Sequence, residues 1–165
     1  MISKEKNMKF ISYLILGLSL STVSAHELTV KISLSPAGSF EAKSEKLKGE
    51  IKKEGAKFTA ENLWVKVEEL KTGISLRDEH FHKHLNFEKS PKVTLGQITA
   101  EGGKGTGTLT VNETKQPVSF TYKNISDKKI EANFKVKASD FKLKPAKYME
   151  IGVDDLVEIV AIIDV

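Results

Sequence analysis

The residues whose types could do chemistry in this 165-residue chain are few: four histidines and a single arginine. Arg77 stands beside Asp78 and three positions before His80, and His82 and His84 follow at once. Neutral imidazole is the commonest metal ligand. In an extended segment all three histidines share one face, whereas in a helix only His80 and His84 do. The fourth, His26, follows a small-residue cleavage site. Its free amine and ring would then chelate copper, with a second histidine completing the site. A copper or zinc site built from His26 and the His80, His82 and His84 cluster is therefore one reading. No histidine–glutamate motif with accepted zinc spacing is present, and a short histidine tract is only a compositional pointer. The expectation is loop-packing or solvated histidines, with no metal and no other cofactor.

Catalysis has less to stand on. The chain has no cysteine, which removes thiolate nucleophiles and thiolate metal sites, and no Gly-x-Ser-x-Gly elbow. Glu68-Glu69 and Asp154-Asp155 are sequence neighbours in strand-like or loop contexts, where successive side chains diverge. Carboxylates must share a site to split their pKa values, so both pairs read as surface charge. A binding protein, not an enzyme, is expected.

The elements that must position these residues begin after residue 25. Lys4, Lys6 and Lys9 precede an apolar run from Phe10 to Leu20, and Val23-Ser24-Ala25 closes it with small residues. That is the secretory signal pattern, and the run is too short to span a bilayer. The expectation is a signal peptide at 1–25, one domain at 26–165, and export to the periplasm. The net charge of +4 includes three lysines and one glutamate from the leader, so the remainder stands near +2. Lysines and glutamates alternate in it without blocks, and nucleic acid is not an expected partner.

From Leu28 onward period two dominates. Leu28, Val30, Ile32 and Leu34 alternate with polar residues, as do Leu63, Val65 and Val67. Val118, Phe120 and Tyr122 follow the same rule, then Ile130, Ala132, Phe134, Val136 and Ala138. Ser39 to Lys53 reads as one polar strand with a bend at Gly49. Turn chemistry recurs at Pro36-Ala37-Gly38, Glu54-Gly55, Gly102-Gly103, Asn112-Glu113 and Asp127-Lys128. About eight antiparallel strands with no βαβ alternation define an all-β class. Sandwich and barrel both fit, and the last strand, apolar on both faces, favours closure into a barrel. Leu70 to Pro91 breaks the pattern. It is long for a structureless connection, yet Leu76, Phe81, Leu85 and Phe87 give it apolar groups to bury. It reads as an ordered crossing element.

At Thr72-Gly73, Arg77-Asp78-Glu79-His80 and Lys89-Ser90-Pro91 the chain resembles the YceI-like family of small exported lipocalin-like proteins. Gly105 to Val111, Gln116-Pro117-Val118 and Ser139-Asp140-Phe141 are similar to further steps of its pattern. The likeness covers roughly 35 to 165. It departs at Ala138, where the family often has arginine, at Asn112-Glu113, and at the added His82 and His84.

The resemblance implies an eight-stranded antiparallel lipocalin-like barrel with a short helical crossing segment, enclosing an apolar cavity that takes an isoprenoid or isoprenoid-quinone-like lipid. Periodicity by itself does not separate a lined tunnel from a filled core, and a ligand-free, stress-protective barrel is the matching alternative. On the carrier reading the inward, ligand-binding face includes Val65, Val67, Val118, Phe120, Tyr122, Phe134 and Val136. Arg77 either ties the crossing segment to the barrel or, with His80, meets a polar headgroup at the mouth. Transient membrane contact and a homodimer that covers apolar surface at the mouth are compatible with this arrangement.

Overall fold

The computed structural model describes residues 26–148 and 151–165. The expected signal peptide at 1–25 lies outside the described residues. The strands are β1 (Glu27–Ser35), β2 (Ser39–Ser44), β3 (Lys52–Glu54), β4 (Lys57–Lys66), β5 (Lys92–Glu101), β6 (Lys104–Val111), β7 (Thr114–Ser126), β8 (Lys129–Lys137), β9 (Lys147–Tyr148) and β10 (Ile151–Asp164). One helix, α1 (Ser75–His84), fills the crossing segment, and 3-10 turns occupy Val67–Glu69 and Ala138–Phe141.

The sheet runs β2-β1-β10-β8-β7-β6-β5-β4-β3, antiparallel at every step, with the two-residue β9 pairing β10 off this path. Its turns follow the sequence chemistry. Gly102 and Gly103 (φ 60° and 82°) join β5 to β6, and Asn112 and Glu113 (φ 48° and 57°) join β6 to β7. Two positive-φ residues in a two-residue loop match the twist of the flanking strands.

The all-β antiparallel class and the short helix are as expected, but the strand count is nine along the path, not eight, and the sheet is curled without one continuous ladder around it. The reason lies in Ser39 to Lys53, which divides into β2 and β3. Between them the chain crosses to β4, where Lys48 exchanges two 2.8 Å backbone hydrogen bonds with Trp64. Gly49 follows at φ 136°, so close to β4 that a Cβ there would collide with the Asn62 carbonyl. Only glycine takes both that backbone angle and that approach. A second isolated bridge, Lys43 to Lys71, stitches β2 to the end of the β4 side. The two ends of the curled sheet are thus tacked together at two points.

β10 is no edge strand: it lies between β1 and β8 in the interior of the sheet. Val157, Ile159, Ala161 and Ile163 face the concave side as expected, while Leu156 on the opposite face is 51% exposed.

Candidate functional site: an apolar cavity under a short helix

The concave face of the sheet encloses a cavity of about 1040 Å³. Burial changes in step along neighbouring strands. On β10, Ala161 and Ile163 are buried while Val157 and Ile159 are half-buried; on β8, Ile130 and Ala132 are buried while Phe134 and Val136 are half-buried. Ile159 pairs with Phe134 and Val157 with Val136, so the transition runs across the sheet at one level. One end is packed shut and the other is open.

Aromatic packing seals the shut end. Phe58 and Tyr122 meet edge to face at 5.6 Å, a favoured aromatic geometry. The Phe120 ring lies where a side chain at position 105 would be, and a Cβ on Gly105 would overlap it. Gly105 thus lets a large ring turn inward from the adjacent strand.

Helix α1 covers the open end. Its Phe81 meets Phe40 edge to face at 6.3 Å, and Phe40 pairs with Ile32, which in turn pairs with Val157. Hydrogen bonds at its start, middle and end fix it there. At its start the Asp78 carboxylate accepts hydrogen bonds from Thr72 N and Oγ1, both at 2.6 Å. Burial opposes ionisation of Asp78, but those two bonds outweigh it and hold the carboxyl below its ordinary value. In the middle, His82 is buried with Nε2 2.7 Å from the Leu70 carbonyl oxygen. After its end, Asn86 Nδ2 donates to Asn112 Oδ1 at 2.9 Å, and Asn112 Nδ2 donates to the Phe141 carbonyl at 3.1 Å. Asn112 therefore clamps the β6–β7 turn to the end of the helix.

Arg77 donates from Nη2 to the Thr72 carbonyl at 2.9 Å, and its guanidinium lies 4.8 Å from the centre of the Phe40 ring. The bond to Thr72 stays within the crossing segment, whereas the stacking on Phe40 reaches strand β2 of the barrel wall. Arg77, His80 and His84 all line the cavity. As expected for a helix, positions 80 and 84 share a face, and His82 points elsewhere. Burial pushes the His84 ring below its ordinary value of 6.5.

Of the other residues expected on the inward face, Val65, Phe120, Phe134 and Val136 line the cavity. Val67, Val118 and Tyr122 do not. β4 ends at Lys66, so Val67 falls in a 3-10 turn, where strand alternation no longer applies, and is buried in the core. Val118 faces a separate small groove with Gln116 and Phe141. Tyr122 lies beyond the shut end against Phe58. The sequence reading missed the β1 wall of Leu28, Val30 and Ile32 as cavity-facing, together with Leu76 and His84 on the helix. The β1 alternation was visible. What it lacked was the sheet order that sets β1 beside β10.

A shared metal site does not form from the expected histidines. His26 is buried beside the end of β10, its Nδ1 accepting from Asp164 N at 3.2 Å. The helix histidines sit near Phe40, whose partner Ile32 lies six residues along β1 from His26, roughly 20 Å at strand rise. Among the described residues no cluster of three or more histidine, aspartate or glutamate side chains could hold an ion. One carboxylate of each acidic pair has a structural partner: Glu69 meets Lys46 at 2.9 Å, and Asp155 accepts from Ser139 N and Oγ at 2.8 and 2.7 Å.

A family model described as a YceI-like domain matches residues 18–164. The chain belongs to the YceI-like family. No curated protein matches the chain with significance. Solved structures share the YceI-like fold at low identity. BcnA of Burkholderia cenocepacia superposes with a TM-score of 0.65 at 17% identity, covering 84% of this chain and 96% of that one. A polyisoprenoid binding domain from Saccharophagus degradans, implicated in plant cell wall breakdown, gives 0.60 at 14%, covering 86% and 95%. The Campylobacter jejuni YceI protein gives 0.60 at 17%, covering 99% and 98%.

Proposed function

We propose that this protein is an exported carrier that holds an isoprenoid-type lipid in the cavity beneath α1. The observation that carries the reading is the cavity itself: 1040 Å³ with walls that are apolar except at the helix-covered end and at Thr59. A filled core would leave no such volume, since protein interiors pack to crystal-like density. Each methylene taken from water into these walls contributes about 0.8 kcal/mol, so a long hydrocarbon chain binds mainly through its length. The polyisoprenoid-binding S. degradans domain shares the fold, which supports an isoprenoid over a compact apolar ligand. The N-terminal leader pattern supports the periplasm as the site of action.

The rim suits transfer at a membrane surface. Ile74, Leu76 and Ile151 line the opening and are 53%, 62% and 45% exposed. Lys83 and Lys147 line the same cavity and are complementary to anionic lipid. Duties of binding and release need no catalytic group, in keeping with the structural engagement of Glu69 and Asp155. The test is displacement of a fluorescent apolar probe by long-chain prenols. Saturable, one-to-one displacement is the expected result, and failure of every prenol to compete would remove the carrier reading.

A further inference from the structure

Lysines of this sheet repeatedly face a carboxylate on the neighbouring strand. Lys31 and Lys135 both meet Glu158 at 3.6 Å, Lys123 meets Glu131 at 3.0 Å, and Lys129 meets Asp164 at 3.6 Å, each directly across a ladder. The β4–β5 ladder departs from this. Its last pair sets Lys66 directly opposite Lys92, and like charges so placed destabilise a sheet. Among the described residues neither lysine has a carboxylate within ion-pair distance, and nor does Lys48. Glu50 and Glu68, each two residues from one of these lysines, are exposed and pair with none of them.

Trp64, the sole tryptophan of the chain, stands among the three. Leu63 and Val65 line the cavity, so Trp64 between them points to the convex side. It is half-buried, and the three lysines are exposed. Lys48 is its bridge partner on one side of β4, and Lys92 comes from β5 on the other. Their ammonium groups lie 5.2 and 4.2 Å from the centre of the indole ring. An indole whose faces are taken by lysines offers no platform for stacking a base or a sugar. Its amphipathic edge, ringed by ammonium groups on flexible stems, suits the boundary between lipid headgroups and water. The patch lies beside the open end of the cavity: Lys66 ends β4, and Val67 N donates to the Pro91 carbonyl just before β5 begins.

We infer that this convex face docks on an anionic lipid surface, with Trp64 seated at headgroup depth and Lys48, Lys66 and Lys92 against the phosphates. The unneutralised Lys66–Lys92 pair carries the argument, because an anionic surface supplies the countercharge that the sheet withholds. The docking face gives the transfer step of the carrier reading a place on the molecule, yet it involves no residue that lines the cavity and stands apart from what the cavity holds.

The experiment follows the emission of Trp64 in the purified protein as vesicles are added, of phosphatidylcholine alone or mixed with phosphatidylglycerol. The mixed vesicles are expected to give a saturable blue shift that high salt reverses, and brominated lipid in them should quench the emission. Neutral vesicles should give neither. Lys66→Gln with Lys92→Gln should weaken vesicle affinity on the order of thirtyfold while apolar-probe binding in solution stays unchanged. Lys123→Gln with Lys129→Gln removes the same charge from β7 and β8 and should cost far less. An equal loss in that control pair would overturn the patch in favour of net charge alone. An equal shift with neutral vesicles would overturn the electrostatic basis. Vesicle binding with unaltered, unquenched Trp64 emission would overturn this face as the one that docks, and no binding to mixed vesicles would overturn docking itself. Each of these leaves the carrier reading standing, since that depends on prenol displacement in solution. The wild-type spectra decide the matter even if a variant fails to fold.

Discussion

His82 Nε2 lies 2.7 Å from the Leu70 carbonyl oxygen, and this bond fastens the middle of α1 to the strand side of the protein. A carbonyl only accepts, so Nε2 carries the proton. Phe81 and Phe87 flank the ring at 6.2 and 6.3 Å. Replacing His82 by leucine keeps the apolar contacts but orphans a buried carbonyl, at a cost of about 1–3 kcal/mol. We expect a lower melting temperature and faster hydrogen exchange across Ser75–His84 than across β6–β8. Equal protection in variant and wild type would show that the bond does not hold the helix.

His84 predicts a pH response. Burial lowers its folded pKa below 6.5, so the unfolded chain binds the proton more readily than the folded one. Its contribution to stability is therefore present above pH 6.5 and is lost as pH falls from there through the lowered folded value. Thermal melts at pH 7.5 and 5.5, a window chosen to lie above the carboxylate range (about 4), should show a larger loss for wild type than for His84→Gln. Identical losses would contradict the burial of this ring.

Phe134 faces the cavity at the half-buried level, whereas Phe120 is only 7% exposed and wedged against Gly105. Phe134→Asp should abolish capture of an apolar probe while the domain still melts cooperatively. Phe120→Asp should instead unfold much of the shut end, since it buries a carboxylate with no partner. If Phe134→Asp binds the probe with wild-type affinity, the ligand lies elsewhere.

The exposed pair Ile74 and Leu76 predicts a larger effect on kinetics than on equilibrium. Serine at both positions should slow lipid transfer between anionic vesicles several-fold and weaken affinity in solution by a smaller factor, since both side chains line the opening but are largely exposed. Unchanged transfer would remove the rim from the mechanism.

Much of this was legible in the residue pattern, for identifiable reasons. Alternation such as Ile130 to Val136 marks a strand wherever one face is buried, and Gly102-Gly103 marks a hairpin wherever two positive-φ residues are needed. The division of Ser39 to Lys53 was not legible. It depends on Gly49 meeting the Asn62 carbonyl of β4, a contact between segments distant in sequence. Val67 failed because alternation says nothing about where a strand stops. The basic helix face was half legible: helical spacing groups His80 with His84, but only the fold brings Arg77 and that face over the open end of the sheet.

The central claim is that the cavity holds a lipid. Native mass spectrometry of the protein, purified from its own cells without added ligand or metal, tests it most directly. The account predicts a co-purifying mass of several hundred daltons that extracts into organic solvent and is absent from Phe134→Asp. A bare protein mass that stays bare after incubation with prenyl lipids would contradict it.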